Sequence, residues 1–264
     1  METYNTGIAL GGGGTRGFAH LGVLQALAEG GIRPGIISGV SAGAIVGAFL
    51  ADGKSPRDIH LLLKDKGLFS FSKMQMSSTG LLNLKGLKSE LKSNLSVSRL
   101  EDLATPLVVG AANLSKGQME YFSEGPIEQA VLASSSIPIL FSPVQIGESL
   151  YVDGGLMDNL PVQPLRGRCQ QIIGVNICPV APTDRLNNML QIALRIFQLN
   201  LNSKARQPQE YCDLVIEPRG LEKYDYLTTS AADELFELGY QYAAALLKEA
   251  PLELTVPATD AGQL

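Results

Sequence analysis

The chain is poor in the residues that usually build metal sites, cross-links and imidazole relays. Of 264 residues only three are cysteines, Cys169, Cys178 and Cys212, and only two are histidines, His20 and His60. An odd cysteine count without C-x-x-C spacing argues against both a disulfide framework and a zinc site. It leaves reduced thiols, the pattern of a cytoplasmic protein. Base is also in short supply: 21 Lys and Arg face 26 Asp and Glu, for a formal charge of −5 and a pI near 5.2. An acidic chain lacks the electrostatic footprint of a nucleic-acid binder. No hydrophobic run is long; the most apolar, Ala42 to Ala51, is about half what a bilayer span needs. The first basic residue is Arg16, so the expected reading is no signal peptide and no membrane span. Neither the full G-x-x-x-x-G-K-S/T of a P-loop (Gly53-Lys54-Ser55 has Ala48 where the first glycine would stand) nor the calcium-ligand spacing of an EF-hand occurs.

What is abundant is hydrophobic and turn-forming sequence: 45% apolar residues, 28 Gly and 14 Pro. That composition fits a compact α/β protein with a large core and excludes a disordered or coiled-coil chain. Without a repeat or linker, residues 1–250 read as a single domain, followed by a loosely held tail over 251–264.

The first 50 residues alternate apolar runs of two kinds. Gly7-Ile-Ala-Leu10 reads as a buried strand ending in a glycine loop, and Arg16 to Glu29 as a helix stopped by Gly30-Gly31. Gly35 to Val40 reads as a second strand, and Ser41 to Leu50, small and apolar on every side, as a buried helix. Strand, helix, strand, helix predicts a mostly parallel sheet with right-handed crossovers. Further on, Pro106–Ala112 with Gln118–Phe122, and Val144–Ile146 with Ser149–Val152, read as hairpins, with a helix near 127–135 between them. Strands at Ile172–Ile177 and Asp213–Ile216, with helices near 186–201 and 231–247, complete the expected set.

One stretch differs in charge. From Lys54 to Arg99 nine basic residues face three acidic ones. A helix opens at Ser55-Pro-Arg-Asp58, and Phe69–Met76 and Ser77–Gly80 read as a loop with apolar residues. Two readings stand: a basic lid and acyl groove giving peripheral membrane contact at anionic lipid through 54–99, or a solvated helical excursion with its apolar residues in the core.

Three short motifs carry candidate chemistry. Gly39-Val-Ser41-Ala-Gly43 fits G-x-S-x-G between an expected strand and helix. A serine on so sharp a turn brings its neighbours together, so Gly39 and Gly43 are needed, and its hydroxyl lies at a positive helix end. The alternative is a glycine-flanked serine N-cap. Gly12-Gly13-Gly14-Thr-Arg16-Gly17 fits both a dinucleotide loop and an oxyanion hole. The first needs an acid about 20 residues on to hold a ribose, and none occurs between Glu29 and Asp52. The second needs only bare backbone N–H groups aimed at an oxyanion. Arg16 could add positive charge there or pair with a surface acid, and His20 reads as a packed helix residue.

A serine needs a base, and neither histidine has the late placement of a triad imidazole. His60 follows Ser41 by nineteen residues, in a basic helix expected to be exposed. A carboxylate is then required, and Asp153 of Asp153-Gly154-Gly155, ending a strand, is the best candidate. A plain Asp-Gly-Gly hairpin turn is the competing reading.

In this order the three motifs resemble the patatin-like phospholipase family, over about Ile8 to Val162. Ala133-Ser134 with Pro138 and Phe141, and Asn159-Leu-Pro161, match further family blocks, and no motif position departs. The resemblance implies a three-layer α/β/α patatin-like fold and a soluble lipid acyl hydrolase without metal or other cofactor. It implies Ser41 as nucleophile and Asp153 as base, with an oxyanion hole at Gly12, Gly13 and Gly14, assisted by Arg16, and the Ala42 N–H. Gly17, Gly39, Gly43, Gly154, Gly155 and Asn159 support these motifs. A carboxylesterase on short acyl esters and a non-catalytic protein of the same fold remain alternatives.

Overall fold

The computed structural model describes residues 3–66, 84–183, 186–224, 226 and 229–249. The loop expected at 69–80 and the tail 251–264 lie outside the described residues. The first half contains β1 (Tyr4–Leu10), α1 (Gly17–Glu29), β2 (Ile36–Gly39), α2 (Ala42–Ala51), α3 (Pro56–Lys66) and α4 (Lys85–Asn94). Next come β3 (Leu107–Asn113), β4 (Gln118–Phe122), α5 (Ile127–Ser134), β5 (Val144–Ile146) and β6 (Ser149–Asp153). The last elements are β7 (Cys169–Val175), α6 (Met189–Arg206), β8 (Leu214–Ile216) and α7 (Ala232–Glu249).

All strands join one sheet in the order β5-β6-β3-β2-β1-β7-β8, with β4 also on β3. β3, β2, β1, β7 and β8 run parallel; β4, β5 and β6 run antiparallel to their neighbours. The expected hairpins are both present, the second turning at Gly147 with φ +58°.

The central strands read as unbroken apolar runs because both of their faces are covered. Side chains alternate between faces. Ile8, Leu10, Ile37, Val109, Ile173 and Val175 join the core built by α1, α2, α5 and α7. Ala9, Ile36, Val108 and Ile172 face the other way, onto Leu160, Val162, Leu165 and Ala205 near the end of α6. This is the three-layer arrangement.

The described parts of the basic stretch belong to this frame. Ile59 and Leu63 of α3 and Leu87 and Leu91 of α4 are core residues. Among the described residues, Lys54 meets Asp52, Lys64 meets Asp233, Lys88 and Lys92 meet Glu128, and Arg99 meets Glu101. Charge that looks polarised along the chain is partly compensated in space.

β3 also sets the site. Val109 pairs with Gly39 of β2 on one side and Phe122 of β4 on the other. Ala111 pairs with Glu120 of β4 and with Asp153 of β6. β6 therefore lies on the β2 side of β3, beyond the end of β2 and pointing back at it.

Candidate active site

Ser41 leaves β2 and caps α2 with φ 54° and ψ −121°, a left-handed conformation that costs a side-chain-bearing residue on the order of 1–3 kcal/mol. Several contacts hold it there. Its N–H donates to the Ser134 hydroxyl at 2.8 Å, and its carbonyl accepts from the N–H groups of Ala44 and Ile45. The bend is as tight as the sequence requires. A Cβ on Gly39 would lie 2.6 Å from the Gly43 carbonyl oxygen, and one on Gly43 would overlap the Leu10 carbonyl.

Asp153 is 1% exposed, accepts a hydrogen bond from the Gly155 N–H at 2.8 Å, and lies near enough to the Ser41 hydroxyl for that group to favour the carboxylate. Burial dominates over these two influences and pushes the Asp153 carboxyl up to about 7. No imidazole intervenes. His60 is buried rather than exposed, because it packs between Phe18 and Phe236 and meets Asp233 at 2.8 Å. His20 is packed as expected: burial lowers its pKa to about 4, so the neutral ring donates from Nε2 to the Gly11 carbonyl at 2.7 Å.

The glycine loop crosses the same point. Asn159 clamps Gly12 twice, its carbonyl accepting the Gly12 N–H at 3.2 Å and its Nδ2 donating to the Gly12 carbonyl at 3.4 Å. The Gly12 N–H is thus engaged within the fold. Gly13 and Gly14 line the cleft with Ser41 and Asp153. Among the described residues, the N–H groups of Gly13, Gly14 and Ala42 have no partner. Gly14 has φ +59°, and Gly17 opens α1 behind it. Gly154 passes against the Gly110 carbonyl of β3.

Arg16 does something neither sequence reading anticipated. It is buried, donates to the carbonyls of Tyr224 (2.8 and 3.1 Å) and Pro179 (2.7 Å), and lies over the Tyr226 ring. Among the described residues it meets no carboxylate, and it does not line the Ser41 cleft. The sequence reading gave Ser134 no role of its own; its signal is its place in the Ala133-Ser134 block.

The cleft has a volume of about 410 Å³. Its polar floor is Ser41, Asp153 and the glycine loop, and its walls are Ile137, Leu186, Leu194, Phe197 and Leu201, mostly from α6. An apolar groove ending at a hydroxyl–carboxylate pair beside free N–H groups suits acyl transfer from a hydrophobic substrate.

The sequence family described as patatin-like phospholipase matches residues 8–166, which hold every element of this cleft floor. The chain belongs to the patatin-like phospholipase family. Two curated family relatives differ greatly in size. An NTE-family protein of Mycobacterium tuberculosis is 33% identical over 162 residues, covering 61% of this chain and 45% of its own length. Lysophospholipase NTE1 of Saccharomyces cerevisiae is 27% identical over 275 residues, 92% of this chain and 16% of its own. The chain thus spans less than half of either relative. Among solved structures, VipD from Legionella pneumophila superposes with a TM-score of 0.54 at 18% identity, over 93% of this chain and 67% of VipD. That likeness shows the patatin-like fold.

Proposed function

We propose that this chain is a serine-dependent lipid acyl hydrolase, of the phospholipase A or lysophospholipase type, working through a Ser41–Asp153 dyad. The observation that carries the reading is the Ser41 hydroxyl brought beside a buried carboxylate at the floor of an apolar cleft. The yeast relative's printed name, lysophospholipase, supports the same substrate class.

In the proposed cycle Ser41 Oγ attacks the ester carbonyl carbon while Asp153 takes its proton. The oxyanion forms against the N–H groups of Gly13, Gly14 and Ala42, where each donor is worth about 2.7–4 kcal/mol of barrier. The intermediate collapses, and the leaving alcohol recovers the proton from Asp153. Water then gives a proton to Asp153 and attacks the acyl-enzyme, and the proton returns to Ser41 as the fatty acid leaves. Asn159 positions the glycine loop without touching substrate.

A fluorophosphonate probe tests the nucleophile. The reading expects one covalent adduct on Ser41, lost in Ser41→Ala, and no hydrolysis of p-nitrophenyl acyl esters or lysophospholipids by Ser41→Ala or Asp153→Asn. Turnover by either folded variant rejects the dyad. A wild-type chain that neither labels nor turns over leaves a non-catalytic member of the family.

A further inference from the structure

The cleft over Ser41 does not end at its apolar walls. A second cavity of about 330 Å³ adjoins it, and the two share Thr183, Arg195, Gln198 and Tyr226 as lining. Their characters differ. Beside Ser41 the α6 wall is Leu194, Phe197 and Leu201. The second cavity is lined by three cations, Arg16, Arg195 and Lys223, and one carboxylate, Glu222. Leu194, Arg195, Gln198 and Leu201 recur at helical spacing, so a single face of α6 passes from apolar to polar between the two cavities.

The cations of the second cavity are uncompensated. A charge taken out of water is normally paired with an opposite one. Arg16, 3% exposed, gives three of its five N–H groups to the Tyr224 and Pro179 carbonyls and stacks on the Tyr226 ring. Arg195 is half-buried and donates to the Ala181 carbonyl. The ion pairs of the described residues include neither guanidinium, nor Lys223. In a chain with 26 acidic residues, both guanidiniums are fixed by neutral oxygens that leave their charge available.

We infer that this cavity is a subsite for a terminal phosphate group on the alcohol side of the ester, selected by Arg195. The inference deepens the lipid-hydrolase reading and rests on it for the position of the ester. With the acyl chain along the apolar wall and its carbonyl at Ser41, the alcohol portion extends past the shared polar rim. A guanidinium there offers paired donors that match phosphate oxygens. Charge sets the kind of phosphate. A monoester carries about −1.5 to −2 at pH 7, which complements three cations and one acid. A phosphodiester bearing choline has no net charge and brings one more cation into a cavity already rich in them. The selected substrate is therefore an acyl ester whose headgroup ends in phosphate, ahead of its choline and uncharged counterparts.

Binding is read without turnover, in the full chain carrying Ser41→Ala, by isothermal titration with single-chain ligands below their micellar concentrations. Dodecyl phosphate is expected to bind about tenfold more tightly than dodecylphosphocholine, or better. Arg195→Gln removes most of that preference, and Arg195→Lys, which keeps the charge, restores part of it. Lys223→Gln, on an exposed side chain, lowers it severalfold and reports on the cavity without disturbing the fold. Equal binding of the two ligands by the parent chain, or a preference that survives all three substitutions, overturns the inference. So does inorganic phosphate binding as tightly as dodecyl phosphate, which would detach the anion site from the cleft. Selective binding of dodecyl phosphate by a chain whose Ser41-intact form cleaves no ester supports the subsite while removing the hydrolase reading. Cleavage by the Ser41-intact chain of 1-acylglycerol, its 3-phosphate and its phosphocholine ester at equal kcat/KM does the reverse.

Discussion

Ser41 and Asp153 reach one another from opposite directions along a single edge of β3. β2 runs with β3 and leaves it at Val109, the partner of Gly39; β6 runs against it and stops at Ala111, the partner of Asp153. Two residues of one strand therefore set the distance between the proposed nucleophile and its proposed base.

The Asp153 carboxyl, raised to about 7 by burial, must be ionised to accept a proton. kcat/KM for a monomeric ester is therefore expected to climb with pH, with a midpoint near 7, and to level off above it. A profile already flat from pH 5 upward removes Asp153 as the base.

The same shift predicts a stability effect. Asp153 holds its proton more tightly in the folded chain, about 7, than in the unfolded one, near 3.8. Its favourable contribution is whole below pH 4 and is lost as pH rises through 7. Asp153→Asn cannot ionise, so its stability relative to wild type grows between pH 4 and 7, by up to a few kcal/mol, and stays constant above that. Paired urea denaturation curves at pH 4 and 8 measure this; an unchanged difference contradicts it.

Ser134→Ala removes the acceptor for the Ser41 N–H inside a buried turn. An unsatisfied donor there costs about 1–3 kcal/mol and loosens the nucleophile. The expected signature is kcat reduced about tenfold or more with KM near wild type. A loss confined to KM indicates that Ser134 serves substrate binding instead.

Gly43→Ala places a methyl group on the Leu10 carbonyl oxygen, in backbone that cannot retreat without moving β1. A loss of about 2–4 kcal/mol in urea-derived stability is expected. A shift below 0.5 kcal/mol, about the scatter of surface substitutions, would mean the turn is looser than its geometry implies.

The early elements were legible because glycine and apolar runs mark their ends. α1, β2 and α2 start and stop within one residue of the sequence reading, and β1 ends where expected but begins three residues earlier, at Tyr4. β7 begins earlier than expected, at Cys169, since its first three residues are polar or half-exposed and carry no run. α4 escaped notice because only Leu87 and Leu91 turn inward among lysines and serines. The balance of the described cations of 54–99 was hidden for a related reason: partners such as Asp233 and Glu128 lie outside the segment. Arg16 was read as catalytic or superficial because nothing local announces that it will bind carbonyls more than 160 residues away.

β1 has β2 on one side and β7 on the other. The matched family region ends at residue 166, before β7, and Arg16 is anchored to Pro179 and Tyr224 beyond it. A polypeptide cut at 166 would leave β1 as an open edge, ready to pair with another molecule, and would take away the α6 wall of the cleft. The proposed catalytic floor and most of the apolar wall are thus separate stretches of chain. On the proposed function, variation in the second retunes which acyl substrates enter while the chemistry of the first stays as it is.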